Sequence, residues 1–316
     1  MKMLKNLKDT KIIFYNHSCF LYWIYINDIS IFNMTYNEYK NSNYVISLVH
    51  FENDYLFKKW GIKSLYMNNY MTYDYDKVKV SDLSSKNILM IGRGDDINKR
   101  FDLGIITMKY IIEEIHDCKM IFISDKKGIK YLKDLSKELN LEDNINFVGY
   151  TNYPEIFYRN ASLHLFPSIS EAFPMVLSEV KIYGIPSILL GIDYVSTSKE
   201  GVCVIYDDNP KTIAKVSINI LNNETIRKCL GKEARQSMKK FNNDLLTKKW
   251  AKLFISIYLG KNYYDILYKE DEKISEKEAI SIIENQVKLL KMRKKINNIT
   301  VNDILNFTFI KNFNNY

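Results

Sequence analysis

The sequence has few of the residues that build disulfide frameworks, metal centres and flexible linkers. Its 316 residues include four cysteines, five prolines and eleven glycines. Cys19, Cys118, Cys203 and Cys229 are scattered without the close spacing of metal ligands or redox pairs, which favours a reducing compartment. Internal repeats and Pro-rich or Gly/Ser-rich linkers are also missing, which excludes repeat architectures and leaves the polar stretch 74–86 as the only boundary signal.

Long apolar runs are missing as well. The chain contains no stretch of about twenty apolar residues, the length that a membrane-spanning helix needs. The first ten residues are polar and lysine-rich and lack the apolar region of a secretion signal. The apolar cluster 19–26 is too short to span a bilayer. We therefore expect a cytoplasmic protein whose only association with a membrane would be peripheral.

Charges of both signs are mixed along the chain. The formal net charge is +8, and hydrophobic residues make up 47% of a composition that is typical of globular proteins. The basic residues are dispersed among acidic ones, so we expect no nucleic acid partner. The most basic segment, 288–295, ends a helix that is predicted to begin near Ser275. We interpret it as a solvated helix end, with contact to an anionic membrane surface as the alternative.

The segment 162–186 carries the clearest functional pattern. Its apolar start, 162–166, predicts a short buried strand. Pro174 stands where a helix can begin, because its missing N–H has no helical partner at that position. Two carboxylates flank this helix start, Glu171 before it and Glu179 a little over two turns inside it. For a lone pair of glutamates, the alternative is a buried strand and an amphipathic helix with incidental acidic residues.

The predicted helix start would leave backbone N–H groups unpaired. These groups belong to Phe173, Met175 and Val176, and they would face the space above the strand ends. Such a helix N-terminus attracts phosphate or a hydroxyl-rich anion through its free donors and its partial positive charge. Glu171 would then stand at the mouth of an anion site.

A second pattern lies upstream, where the apolar run 87–91 predicts another buried strand. Gly92 and Gly94 follow it, and glycine lets the backbone approach a ligand closely. Arg93 and Lys99 place two cations beside that turn, one able to bind in a bidentate manner and one a mobile point charge. By itself this pattern is weak evidence for a binding site, because any basic loop has similar residues. Its position relative to Glu171 makes it informative.

These two segments resemble the signature of retaining glycosyltransferases of family 4, which have the two-domain GT-B fold. The matching residues are Pro167, Ser168, Glu171, Glu179, Gly184 and Pro186, together with the upstream Gly92, Arg93 and Lys99. The resemblance implies a nucleotide-diphosphate sugar as donor, for example a UDP-sugar, and neither a cofactor nor a bound metal.

The same resemblance implies a role for each matching residue. Arg93 and Lys99 would grip the donor diphosphate and stabilise its charge as it leaves. Glu179 would bind the ribose hydroxyls, and Glu171 would hold the donor sugar. The implied donor-binding set is completed by Gly92, Gly94, Tyr150, Phe173, Pro174, Met175 and Val176, of which Tyr150 would help to frame the base. A Gly-rich turn near Gly191 faces the donor in that family, but an ordinary surface loop is the alternative here because the double glycine is missing.

The segment 11–16 predicts a strand that ends in His17. In the resembled family a histidine at such a strand end faces the cleft near the reacting sugar, so His17 would lie beside the acceptor. A structural histidine is the alternative. We interpret His50, His116 and His164 as scaffold residues.

Strands and helices alternate from residue 86 to residue 240, as in a doubly wound sheet. We therefore predict an α/β, GT-B-like protein with a complete Rossmann-like donor-binding domain at 86–240. A truncated, Rossmann-like acceptor-side half would occupy 1–85, a crossover helix 241–260 and a charged helical tail 261–316. Complete family members have further strands before the histidine. We thus expect a fragment or a split enzyme with a partner chain, since exposed strand edges and uncovered apolar faces are avoided.

The predicted function is transfer of a sugar from a nucleotide-diphosphate donor to a glycan or lipid-linked acceptor, with retention of anomeric configuration. One alternative is a non-catalytic nucleotide-sugar-binding subunit that needs a partner chain. A second alternative is a degenerate fragment that serves as an interaction module. The sequence does not specify the sugar, the base or the acceptor.

Overall fold

The computed structural model describes residues 10–20, 22, 29–94, 96–125, 128–261, 273–293 and 304. Two parallel sheets form the framework. The first has the order β1-β2-β3 and comprises β1 (Ile13–Asn16), β2 (Tyr44–Ser47) and β3 (Ser64–Tyr66). The second has the order β6-β5-β4-β7-β8-β9 and comprises β4 (Asn87–Ile91), β5 (Lys119–Ile123), β6 (Ile145–Phe147), β7 (Leu163–Phe166), β8 (Ser187–Leu190) and β9 (Val202–Ile205). The predicted α/β class is thereby confirmed.

Helices connect these strands. They are α1 (Ile29–Asn41), α2 (Phe57–Lys59), α3 (Phe101–Ile112), α4 (Ile129–Glu138), α5 (Glu155–Tyr158), α6 (Met175–Ile182), α7 (Pro210–Asn222), α8 (Glu224–Ser237), α9 (Asn243–Tyr258) and α10 (Glu276–Met292). A π-helical turn, Glu52–Leu56, precedes α2, and 3₁₀ turns cover Ile97–Lys99 and Met238–Lys240. Several helix starts are set by local side chains, because Asn209, Asn223, Asn242 and Ser275 each accept a first-turn N–H. Within the described ranges, no helix has the length and apolar character needed to cross a bilayer.

The strand order determines where a ligand can bind. Strand β4 lies at the point where the order reverses, with β5 on one side and β7 on the other. In doubly wound sheets, ligands bind beyond the carboxyl ends of the strands at this switch point. Gly92 directly follows β4 and Pro167 directly follows β7. The two sequence patterns therefore meet at the switch point of the six-stranded sheet.

Both faces of that sheet are covered, as a parallel sheet requires. On β4, Ile88 and Met90 enter one apolar cluster with residues of α3 and α7, and Leu89 enters another with Val180 of α6. This alternation follows from the two-residue period of a strand. Because both faces are packed, the sheet is a rigid support for the loops at the carboxyl ends of its strands.

Several predicted boundaries were wrong by a few residues, each for a local reason. The sequence pattern of segment 145–150 predicts a single strand, but the strand ends at Phe147, because Gly149 adopts a φ of +85°. The apolar spacing of segment 128–140 predicts a helix, but the helix ends at Glu138, and Asn140 takes a left-handed φ of +55°. In α3, the apolar pattern predicts Ile106 on the buried face, but that face uses Ile105 and Met108, and Ile106 is only half-buried.

The first sheet, for which we expected an uncovered apolar face, shares an apolar cluster with the chain's own helix α10. Buried residues of α10 share one core cluster with residues of the first sheet and its helices; these are Ala279, Ile283, Val287 and Leu290. Polar contacts fix the helix, since Tyr55 donates to Glu276 over 3.0 Å and the Ile274 N–H donates to Asp54 over 3.0 Å. On the opposite face, Leu246 and Leu253 of α9 pack with Ile46 and Leu65.

The basic segment 288–295 is not a uniformly solvated helix end. Lys288 and Lys291 are exposed, but the guanidinium of Arg293 is bound to Asp208 and its side chain is only 5% exposed. Outside the described residues lie the lysine-rich start up to residue 9, residues 262–272, and the end of the predicted tail from residue 294 on, except for residue 304.

Candidate functional site

A lysine and a glutamate from the two patterns form an ion pair at the switch point. Lys99 lies on the 3₁₀ turn after β4, and Glu171 lies in the loop after β7. The Lys99 Nζ is 2.6 Å from Glu171 Oε1, and the two side chains are 17% and 13% exposed. Because the pair is mostly shielded from water, its charges act more strongly than those of a surface pair.

An asparagine that sequence reasoning missed holds the two loops together. The Asn98 side chain donates to the Ser170 carbonyl over 2.7 Å and accepts from the Ser170 N–H over 3.0 Å. The Asn98 carbonyl also accepts the Ile169 N–H over 2.9 Å. These three bonds set the position of the neighbouring Lys99 against Glu171. No local pattern distinguishes Asn98 from any other polar loop residue.

The four residues with a predicted catalytic role line one cavity of about 190 Å³. These residues are His17, Arg93, Lys99 and Glu171, and Ser18 and Cys19 contribute to the same wall. The cavity therefore lies between the segment that follows β1 and the two loops of the six-stranded sheet. Their roles in binding or catalysis stay predictions.

Arg93 stands at the rim of this cavity. Its side chain is 74% exposed, and its Nη2 is 2.8 Å from the Asp96 carboxylate. Asp96 in turn caps the 3₁₀ turn by accepting the Asn98 N–H over 3.0 Å. Arg93 is thus connected to the turn that carries Lys99.

The two glycines of this loop have contacts of their own. A Cβ added to Gly92 would lie 2.9 Å from Cζ of Phe101, so the backbone passes close to that ring. The Gly94 N–H donates to the Asp125 carboxylate over 3.4 Å. This close approach and the φ of +156° both favour glycine at position 92, while the predicted close approach to a ligand stays a prediction.

Helix α6 begins at the predicted place. Pro174 is its N-cap residue, with a φ of −70° and a ψ of 107°, and its carbonyl accepts the Ser178 N–H. Met175 and Val176 are half-buried. Phe173 is buried and packs edge-on against Phe241, with ring centroids 5.3 Å apart.

The second glutamate lies apart from the cavity. Glu179 accepts hydrogen bonds from Thr72 over 2.7 Å and from Tyr158 over 2.8 Å. Burial raises the pKa of Glu179, although both hydroxyl groups oppose this effect. Glu179 is not among the described residues that line the cavity of Lys99. Tyr150, which we expected to frame the nucleotide base, is exposed and is not among the residues that line this cavity either. Its hydroxyl donates to Asn152 over 2.9 Å.

The other histidines have structural surroundings. His164 is fully buried beside Ser187, with 3.1 Å between Nδ1 and Oγ, and burial lowers its pKa to about 3. It is therefore neutral in the sheet at physiological pH. His116 lies 2.8 Å from the Ile112 carbonyl, and His50 stacks on Tyr66.

The turn after β8 is not an ordinary surface loop. Residues 191–198 are buried except for the half-buried Asp193. Gln286 of α10 donates to the Gly191 carbonyl, and a Cβ added to Gly191 would lie 2.3 Å from the Leu289 side chain. Helix α10 therefore covers this turn.

A buried carboxyl group, also missed by sequence reasoning, anchors the segment that carries His17. Glu52 is fully buried and accepts hydrogen bonds from the Phe20 N–H and from the Ser47 hydroxyl, the latter over 3.1 Å. Burial raises the pKa of Glu52 to about 7. The carboxyl thus connects the end of β2 to the segment after β1.

Stability should therefore depend on pH through Glu52. In the unfolded chain this group loses its proton near its ordinary pKa of 4.5, whereas the folded protein keeps it up to about pH 7. The unfolded state binds fewer protons in this window, so the free energy of unfolding should fall as pH rises through it, by on the order of 1–3 kcal/mol.

Denaturant unfolding of the wild type and of Glu52→Gln across this window measures the effect. We expect the fall to be smaller in the variant by this amount, because glutamine does not ionise, while other carboxyl groups with a raised pKa, such as Glu179, still contribute. Glu142→Gln, at an exposed position, is the matched control. Equal pH dependence in wild type and Glu52→Gln would exclude Glu52 as the source.

Within the described ranges, no three His, Cys, Asp or Glu side chains are grouped so that they could hold a metal ion.

Comparison with known proteins gives consistent results. The family described as "Glycosyl transferases group 1" matches residues 74–237, just over half of the chain. An uncharacterized glycosyltransferase of Haemophilus influenzae is 23% identical over 178 residues, which are 55% of this chain and 50% of that protein. The chain thus spans about half the length of this relative.

Solved structures show the same fold. A TarM variant from S. aureus, in complex with UDP and α-GlcNAc-glycerol, has a TM-score of 0.67 and 19% identity over 80% of this chain and 52% of its own. Sucrose-phosphate synthase from Thermosynechococcus elongatus has a TM-score of 0.69 and 16% identity over 82% of this chain and 71% of its own. The predicted GT-B-like fold is confirmed.

The family match contains the loop after β4, the loop after β7 and helix α6. It therefore includes Arg93, Lys99, Glu171 and Glu179, while His17 and α10 lie outside it. From this match over more than half of its length, the chain belongs to the glycosyl transferases group 1 family.

Proposed function

We propose that this protein is a retaining glycosyltransferase of the family 4 type that acts in the cytoplasm. It would transfer a sugar from a nucleotide-diphosphate donor to a glycan or lipid-linked acceptor without a bound metal. The observation that carries the proposal is the Lys99–Glu171 pair, held at the switch point and lining one cavity with Arg93 and His17. Retention rests on the resemblance of the two-glutamate spacing to that family.

The chemistry expected at this pair is electrostatic. Departure of a nucleoside diphosphate concentrates negative charge on its terminal phosphate. Lys99 would stabilise that charge from a fixed and partly dehydrated position, and Arg93 would assist from the rim. Glu171, which already accepts a hydrogen bond from Lys99, would accept further bonds from hydroxyl groups of the donor sugar. His17 would stand on the opposite wall, beside the acceptor.

The nucleotide is proposed to be uridine diphosphate. UDP is part of the TarM complex, and TarM shares the fold of this chain. Because the sequence identity is low, this similarity supports the choice of nucleotide without extending to the sugar or the acceptor.

Calorimetric titration of the purified chain with UDP, GDP and a panel of their sugars tests the proposal. We expect saturable binding that is strongly weakened, yet still measurable, in Lys99→Ala. A folded, monodisperse sample that binds none of these nucleotides would contradict a working donor site. Donor binding without transfer to any acceptor would favour the alternative of a donor-binding subunit that requires a partner chain.

The proposed ribose contact can be tested separately through Glu179. Glu179→Gln should weaken donor binding about tenfold or more, since a hydrogen bond to a charged group contributes roughly 1.5–3 kcal/mol. The measurement is the dissociation constant of the nucleotide sugar by calorimetry.

Thr72→Val is the matched control, because it removes the hydroxyl that Glu179 accepts from and leaves the carboxylate in place. We expect donor affinity to change little in this variant. Equal losses in both variants would assign Glu179 to the packing of the 71–76 segment, and an unchanged affinity in Glu179→Gln would exclude the ribose contact.

A further inference from the structure

Helix α10 lies outside the family match, yet its end reaches the loops of the candidate donor site. Arg293 directly follows this helix and is 5% exposed. Its guanidinium binds the Asp208 carboxylate through two nitrogens, with 3.1 Å from Nε to Oδ2 and 3.0 Å from Nη2 to Oδ1. This bidentate geometry is specific to arginine and directional.

Asp208 connects Arg293 to the turn that carries Lys99. Its Oδ2 also accepts a hydrogen bond from Nη1 of Arg100 over 2.7 Å. Asp208 follows β9, so one carboxylate joins the end of α10 to the loop after β4. Burial raises the pKa of Asp208, but hydrogen bonds from Arg293 and Arg100 outweigh this and lower it below its usual value. The carboxylate is therefore ionised at neutral pH and pairs with both guanidinium groups.

Arg100 has a backbone conformation that needs outside support. Its φ of +50° and ψ of 42° are left-handed, and side-chain-bearing residues adopt this conformation only with a penalty. Arg100 ends the turn Ile97–Lys99 and precedes α3, so its conformation sets the direction in which the chain passes from the turn into the helix. The contact with Asp208 holds Arg100 by its side chain.

Helix α10 is itself firmly held. Gln286 donates to the Gly191 carbonyl, and Leu289 packs against Gly191. On the other side, Ile283 and Leu290 are buried in the core that the helix shares with the first sheet. Arg293 is therefore presented to Asp208 from a fixed element.

We propose that Arg293 is a positioning residue of the donor site, which acts through Asp208 and Arg100 to keep Lys99 in place against Glu171. Helix α10 would then be a working part of the site, although it lies beyond the family match. The catalytic consequence rests on the proposed function, whereas the positioning itself is a property of the chain and can be measured without a ligand.

The first experiment measures positioning alone. Amide hydrogen exchange of the peptide covering 97–103 should be about tenfold faster in Arg293→Ala than in the wild type. Lys291→Ala, which removes an exposed cation from the same helix, is the matched control and should leave this exchange unchanged. Unchanged exchange in a folded Arg293→Ala protein would overturn the proposal.

The second experiment measures the consequence for the donor site. Arg293→Ala should weaken UDP binding about tenfold in the wild-type background and leave it unchanged in the Lys99→Ala background, because both changes would act on the same contact. A loss of equal size in both backgrounds would show that Arg293 acts independently of Lys99 and would overturn the proposal.

A conservative variant separates geometry from charge. Arg293→Lys keeps the charge but loses the bidentate fork, so we expect only partial recovery of the slow exchange of 97–103. If Arg293→Ala does not fold, Arg293→Lys and Asp208→Asn answer the same question. Failure of the wild type to bind UDP would contradict the proposed function and leave the exchange experiment decisive for positioning.

Discussion

Replacing Lys99 by alanine should reduce turnover by a hundredfold or more. The Nζ of Lys99 lies 2.6 Å from Glu171 in a position that is only 17% exposed. In such a site, loss of one donor aimed at a developing charge typically costs about 10²–10³ in turnover. The effect should be large because Lys99 is held in advance by Asn98 and needs little reorganisation when the leaving group departs.

Steady-state turnover with a bound nucleotide sugar is the measurement, and Lys109→Ala is the matched control. Lys109 is exposed on α3 and lines no part of the described cavity of Lys99, so its removal should leave turnover unchanged. Unchanged turnover in Lys99→Ala would remove the proposed role in leaving-group stabilisation.

A double variant identifies what Lys99 stabilises. If Lys99 only neutralises Glu171, the Lys99→Ala, Glu171→Gln double variant should recover turnover. If Lys99 stabilises the leaving diphosphate, the double variant should be no better than Lys99→Ala alone. We expect the second result.

Replacing Gly201 by alanine should destabilise the fold by about 2–5 kcal/mol, the sum of a left-handed backbone penalty of ~1–2 kcal/mol and overpacking of ~1–3 kcal/mol. Gly201 precedes β9 and has a φ of +65°. An added Cβ would lie 2.2 Å from the Ala234 nitrogen and 2.4 Å from its Cα. These are backbone atoms of α8, so the helix would have to move.

Gly260→Ala is the matched control, because Gly260 has a nearly equal φ of +62° and no atom within 4 Å of an added Cβ. Its free energy of unfolding should fall only by the backbone penalty of about 1–2 kcal/mol. Denaturant unfolding of both variants gives the comparison. If Gly201→Ala and Gly260→Ala lowered the free energy of unfolding equally, α8 would accommodate the methyl group without strain.

Much of the fold could be predicted from the sequence because its signals are local. The apolar runs at 87–91 and 162–166 identify buried strands, since a parallel sheet covered on both faces selects continuous apolar residues. Pro174 marks the start of α6. The exact ends of strands and helices were harder to predict, because they depend on the backbone angles of residues such as Gly149 after β6 and Asn140 after α4.

By itself, the sequence determined the α/β class, the order of strands and helices, and the identity of four residues that line the cavity at the switch point, His17, Arg93, Lys99 and Glu171. Only the tertiary structure decided which partners they have. Lys99 and Glu171 are 72 residues apart in the chain, and Gln286 contacts the Gly191 carbonyl from 95 residues away. The roles of Asn98, Glu52 and α10 depend on such distant contacts. Local patterns specify helices and strands, whereas burial and hydrogen-bond partners are set only when those elements pack.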